Sequence, residues 1–95
     1  QGHVDAVGEV VSAAPDLVVR VPTDLLRYVV EKGSIAVDGV SLTLARIRGR
    51  SFAAALIPET LRRTTLSLLR PGDPVHLEAD VVGKWIEALS TRARR

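Results

Sequence analysis

The stretch GSIAVDGVSLTLARI, residues 33–47, decides how the fold is read. It divides into two short strands around Asp38-Gly39, a strong two-residue hairpin signal. On the second arm Val40, Leu42 and Leu44 alternate with Ser41 and Thr43. A period of two sends successive side chains to opposite faces, so the hydroxyls share one face and the apolar groups the other. A solvated strand face would produce that pattern, and so would a ligand site.

The same periodicity extends outward. Val4, Ala6, Gly8 and Val10 alternate with His3, Asp5, Val7 and Glu9, which predicts a first strand over residues 2–13. Ala14-Pro15-Asp16 is a turn, and Leu17, Val19 and Val21 continue a second strand. Pro22-Thr23-Asp24 opens a short helix with Thr23 as the N-cap. Leu25, Leu26, Val29 and Val30 form its apolar stripe, and Gly33 marks its end. A third strand covers 34–37 and a fourth covers 40–48. Gly49-Arg50 turns the chain into a fifth strand over 51–57. Pro58-Glu59-Thr60 starts a helix running to about Thr65, with proline in its first turn. Leu66, Leu68 and Leu69 are expected to pack under a connection. After the turn at Pro71-Gly72-Asp73-Pro74, Val75, Leu77, Ala79 and Val81 alternate with His76, Glu78 and Asp80 in a sixth strand. From about Gly83 the pattern becomes helical, with Trp85, Ile86 and Leu89 on one face.

This order predicts an all-β protein: a six-stranded antiparallel, Greek-key-like closed barrel with short helices and a C-terminal helix. Closure removes the edges that an open six-stranded sheet would expose. The 95 residues suit one domain, with the barrel over about 1–82 and the helix and basic tail over 83–95. The chain starts at Gln1 and contains no methionine, which suggests a fragment, a processed product or an excised domain.

Composition narrows the function classes. Without cysteine there is no disulfide, thiolate nucleophile or zinc–thiolate site. His3 and His76 are the two histidines, too few to suggest a structural metal cage, and no metal is expected. No apolar run reaches the roughly 18 residues of a membrane span, and no basic-then-apolar leader marks secretion. A cytoplasmic location with no membrane partner is expected. The net charge is +2, with basic residues gathered at Arg92, Arg94 and Arg95. A basic tail is ordinarily a solvated end. The aromatic residues are Tyr28, Phe52 and Trp85 alone, which does not make a platform for stacking bases, so no nucleic-acid partner is expected.

Three strands carry small polar or ionisable groups opposite their apolar face: His3 and Asp5; Ser41 and Thr43; and His76, Glu78 and Asp80. The outer face of any small barrel meets water, so each set has a plain explanation as well as a functional one. Lys32 fits the last turn of a helix, where it would suit the dipole, or a ligand contact. The start of the second helix leaves main-chain N–H groups free, which could serve the helix alone or bind a polar ring edge. No glycine-rich phosphate loop, metal-ligand spacing or nucleophile elbow appears. The residues by themselves describe a soluble small barrel with room for a polar small molecule.

Several motifs in fixed order are more specific. GHVD (2–5), KGSIAVDGVSLT (32–43), LIPETL (56–61) and LRPGDPVHLEADVVGKWIE (69–87) together resemble riboflavin synthase of the lumazine-binding type. The resemblance covers nearly the whole chain and is to the second of the two similar barrels of that family. GHVD opens that half, Ser41 stands where the first half usually has cysteine, and the chain runs on from DVVGKWIE into a C-terminal helix. Ala6 follows GHVD where glycine is common.

The resemblance implies binding of 6,7-dimethyl-8-ribityllumazine without a cofactor. It implies a contribution of half the site in which two lumazines dismutate to riboflavin and a ribitylaminopyrimidinedione. By the family's pattern Gly2, His3, Val4, Lys32, Ser41, Leu42, Thr43, Ala55, Leu56, Ile57, Pro58, Glu59 and Thr60 contact the ligand. On the same resemblance Ser41, Asp80 and His3 are expected to carry the chemistry. Ser41 places a hydroxyl or water at the reacting carbon, Asp80 polarises or orients it, and His3 relays a proton. The expected partners are the first barrel of another subunit and, in the full enzyme, a homotrimer. A non-catalytic lumazine- or flavin-binding module is the alternative.

Overall fold

The computed structural model describes residues 3–30 and 32–80. Their strands are β1 (His3–Ser12), β2 (Asp16–Arg20), β3 (Ser34–Val37), β4 (Val40–Thr43), β5 (Arg46–Arg48), β6 (Ser51–Ala55) and β7 (Pro74–Asp80). All seven form one antiparallel, barrel-like sheet in the order β4-β3-β7-β1-β2-β6-β5. Strand β7 arrives last of the seven and lies between β3 and β1, so it joins the β3–β4 hairpin to the β1–β2 hairpin.

The expected six-stranded closed barrel is corrected in two respects. The described residues form seven strands, because the predicted fourth strand over 40–48 is divided into β4 and β5. No ladder joins those two edge strands, so the sheet is not closed by strand pairing among the described residues. The division has a local cause. The N–H of Leu44 donates to the Gly33 carbonyl at 2.9 Å, and its carbonyl accepts from Lys32 N–H at 2.8 Å. One residue later the N–H of Ala45 donates to the Ala53 carbonyl at 2.9 Å. The chain therefore changes partner at Leu44-Ala45, where no glycine or proline marks the switch in the sequence.

The alternation predicted for the strands is realised in the core. Val10, Leu17, Val19, Ile35, Val37, Leu42, Phe52, Ala54, Val75, Leu77 and Ala79 are buried on the inner face, and no polar side chain is buried among the described residues. In the turn, Asp38 and Gly39 have φ values of 49° and 84°. Positive φ at both central residues is the requirement of a type I′ hairpin turn.

The helices are shorter than predicted. Helix α1 is Thr23–Leu26, with Pro22 rather than Thr23 at the cap position and no side-chain cap. Val29, Val30 and Lys32 lie beyond it. Lys32 has a φ of 67° and sits in no helical last turn, so the dipole reading of this residue does not apply. Helix α2 is Pro58–Arg63 and stops at Thr64, whose backbone is extended. A 3₁₀ turn, Thr65–Leu68, follows, with the Thr64 hydroxyl accepting from Leu66 N–H. Leu66 is buried and Leu69 packs against the core, but Leu68 is 72% exposed, contrary to expectation. Strand β6 ends at Ala55 because the next N–H, that of Leu56, donates to the Pro15 carbonyl. No helix among the described residues is long and apolar enough to cross a membrane. The predicted C-terminal helix with Trp85, Ile86 and Leu89, and the basic tail, lie outside the described residues.

Candidate functional site

Three polar strand faces that are distant in the chain lie within four consecutive strands of the sheet. One row of cross-strand neighbours runs Ser41–Ala36–Glu78–Asp5 through β4, β3, β7 and β1. Neighbouring strands are about 4.8 Å apart, so the row spans about 14 Å. Two residues further along, Thr43 stands opposite Ser34 on β3, and His3 stands opposite Asp80 across β1 and β7. Ser34, Ser41, Thr43, Asp5 and His76 are exposed, and Ala36 and Glu78 are half-buried.

Ser34 is a polar group on this surface that the sequence reading did not single out. The signal was available. A two-residue Asp-Gly loop pairs Val37 with Val40, and stepping outward from that pair puts Ser34 against Thr43. The register also separates two of the expected catalytic residues. Ser41 is on β4 and Asp80 on β7, with β3 between them.

The free edge of β4 adds main-chain chemistry. N–H and C=O groups point to alternate sides along an antiparallel strand. Leu44 directs both of its groups toward Lys32 and Gly33, at the entry to β3. The main-chain groups of Ser41 and Thr43 consequently point to the opposite side, where no described strand pairs with β4. That is the side on which Ala45 reaches Ala53 of β6, from which residues 55–60 lead away. Such an edge can supply alternating donors and acceptors to a flat heterocycle.

The other expected contacts divide by orientation. Ala55, Ile57, Pro58 and Glu59 are exposed, Ile57 to 63%. Leu42 and Leu56 point their side chains into the core, so neither side chain is offered to a ligand. Glu59 pairs with Arg63 at 3.1 Å. The Thr60 carbonyl accepts from both the N–H and the hydroxyl of Thr64. Lys32 is exposed, and its N–H is tied to Leu44 next to Thr43. His3 and Val4 belong to β1, and Gly2 lies outside the described residues.

Asp5 and His76 approach to 3.9 Å between Oδ1 and Nε2. A cavity of about 530 Å³ lies against β2, β6 and β5, with Val18, Ala53 and Ala55 beside Arg46, Arg48 and Asp16. It meets the expected ligand contacts at Ala55.

A family model described as the lumazine binding domain matches residues 1–80, which includes every described strand. This chain belongs to the lumazine-binding domain family. Its relatives include the riboflavin synthase of Mycobacterium tuberculosis, 48% identical over 101 aligned residues that cover 98% of this chain and 50% of that protein. The riboflavin synthase of Photobacterium phosphoreum is 42% identical over 93 residues, 93% of this chain and 43% of that protein. That of Chlamydia muridarum is 43% identical over 84 residues, 87% and 42% respectively. This lumazine-binding domain thus spans about half the length of the curated relatives it matches.

Proposed function

We propose that the chain is a single lumazine-binding domain over residues 1–95, equivalent to the second barrel of a cytoplasmic riboflavin synthase. In this reading it binds 6,7-dimethyl-8-ribityllumazine and supplies half of a two-substrate site. The observation that carries the reading is the alignment of nearly the whole chain with about half of each riboflavin synthase relative. The polar surface on β4, β3, β7 and β1 supports it, as does the unpaired edge of β4.

The chemistry asks chiefly for positioning. Two rings must be held face to face, which replaces a bimolecular encounter with a preset geometry. The β4 edge at Ser41 and Thr43 reads the ring's donors and acceptors, and the segment from Ala55 to Thr60 flanks it. Lys32 contacts a polar group of the ligand. Proton transfers at the ring methyl and addition at a ring carbon need acid–base groups within hydrogen-bond reach. Ser41 places a hydroxyl or water at the reacting carbon, Asp80 orients it and His3 relays a proton. The second ring is held by the first barrel of another subunit, and the whole enzyme is a trimer. No cofactor takes part.

A non-catalytic lumazine- or flavin-binding module is the second reading, since the family match by itself is to a lumazine binding domain. Fluorescence titration with the lumazine, alongside a turnover assay, separates the two. The enzyme reading expects weak binding by the chain alone and riboflavin formation once a first barrel is supplied. Binding with no turnover in either arrangement favours the module, and no binding of lumazine or riboflavin sinks both.

A further inference from the structure

The outer face shared by β1 and β7 carries three ionisable side chains, Asp5, His76 and Glu78, none of which is among the expected lumazine contacts. Asp5 and Glu78 are directly opposed across the ladder, and His76 stands two residues before Glu78 on β7, opposite Val7. The candidate ligand atoms of the three side chains all lie within 4.8 Å of one another.

The cluster has an electrostatic imbalance. Like charges directly opposed on neighbouring strands destabilise a sheet. Among the described residues, the one ion-pair contact to either carboxylate is the 3.9 Å approach of His76 to Asp5. The position of His76 is also fixed from outside its ladder. Its N–H donates to the Asp38 carboxylate and its carbonyl accepts from Asp38 N–H, each at 2.8 Å. Two carboxylates and one imidazole therefore stand together on firmly paired backbone.

We propose that Asp5, His76 and Glu78 form a surface site for a borderline divalent transition-metal ion, with zinc as the representative. One imidazole nitrogen and two carboxylate oxygens suit zinc, and the imidazole selects against magnesium and calcium. Around a metal about 2.1 Å away, tetrahedral ligands stand about 3.4 Å apart. Rotation of the exposed Asp5 and His76 side chains closes the present spacing. Three protein ligands leave one position for water, so this is an open site and not a closed four-ligand structural cage. Asp5 and Glu78 border the surface assigned to lumazine, but none of the three is an expected lumazine contact, so zinc titration and lumazine titration read the two proposals separately.

The test is calorimetric titration of the full-length protein with zinc chloride in a non-chelating buffer, with magnesium as the control. One saturable zinc site is expected. His76→Ala weakens it at least about tenfold, since even the outer partners of metal ligands cost that much when lost. Glu78→Gln weakens it as well. Zinc raises the thermal midpoint of the parent protein more than that of either variant, because it binds the folded state. Cobalt substitution should give a visible ligand-field spectrum that His76→Ala removes. If His76→Ala does not fold, Glu78→Gln decides the question. No saturable zinc binding, or parent-like binding in the folded variants, overturns the proposal.

Discussion

The carboxylate of Asp38 accepts the main-chain N–H of His76 at 2.8 Å, and the N–H of Asp38 donates to the His76 carbonyl at the same distance. This double link anchors the tip of the β3–β4 hairpin to β7, beyond the register pairs Ala36↔Glu78 and Val37↔Leu77. It helps hold Ser41 and Thr43 level with the polar positions of β7 and β1. Asp38 has a φ of 49°. Aspartate tolerates that left-handed conformation and alanine resists it. Asp38→Ala should cost about 1–2 kcal/mol in urea denaturation, through the lost hydrogen bond and the strained backbone together. Asp38→Asn keeps an acceptor and should cost less. Equal losses in the two variants would show that neither the acceptor nor the backbone preference matters.

Ser41 and Leu42 are neighbours with opposite duties. Ser41 is exposed. Ser41→Ala should therefore change stability by about half a kcal/mol at most, as surface substitutions usually do. Leu42 is buried. Leu42→Ala should cost about 2–5 kcal/mol through the lost burial and the cavity left behind. In a two-barrel enzyme Ser41→Ala and Asp80→Ala should lower turnover more than lumazine binding. A thermal melt beside steady-state kinetics checks this, and a Ser41→Ala protein that mainly lost stability would assign the hydroxyl to the fold.

Gly8 sits at a close approach of β1 to β2. A Cβ there would stand 2.6 Å from Leu77 Cδ1 and 2.8 Å from the Arg20 carbonyl oxygen. The leucine methyl can move, but the carbonyl belongs to β2. Gly8→Ala should therefore destabilise by about 1–3 kcal/mol, as overpacking does. An unchanged denaturation midpoint would mean that β1 and β2 separate more easily than their ladder suggests.

Lys32 pairs a left-handed backbone with an exposed side chain. A left-handed conformation costs an L-residue about 1–2 kcal/mol, and glycine avoids that cost while losing about 0.5–1 kcal/mol to entropy. Lys32→Gly should thus leave stability level or raise it by up to about 1.5 kcal/mol. Lumazine affinity should fall at the same time. Loss of stability together with affinity would make this lysine structural.

The strands were largely legible because each side chain's face follows from its immediate neighbours. β3 occupies the expected residues, and the buried positions of β2 and β7 are those of the alternation. The helices were less legible. Of the expected stripe, Leu25, Leu26 and Val29 meet the core while Val30 is exposed, and Val29 does so from beyond a helix of four residues, because an apolar residue can meet the core from an irregular connection as well as from a helix. The division of 40–48 into β4 and β5 was hidden for a similar reason. The apolar side chains at Val40, Leu42 and Leu44 keep their alternation while the backbone changes hydrogen-bonding partner at Leu44-Ala45.

For the site, the residues alone specified that Ser41 and Thr43 share a face, and motif order specified the family whose ligand they would meet. Neither could place strands 40–43 and 74–80 on either side of β3, or show that Ser34 completes the polar surface. Those facts depend on pairings between residues distant in the chain, such as His3 with Asp80. The free edge of β4 is equally non-local, since a main-chain N–H is satisfied or left available by whichever strand packs beside it. Side-chain period is written within a few consecutive residues, whereas strand neighbourhood is a balance of burial and hydrogen bonding over the whole chain, and so it appears only once the sheet has assembled.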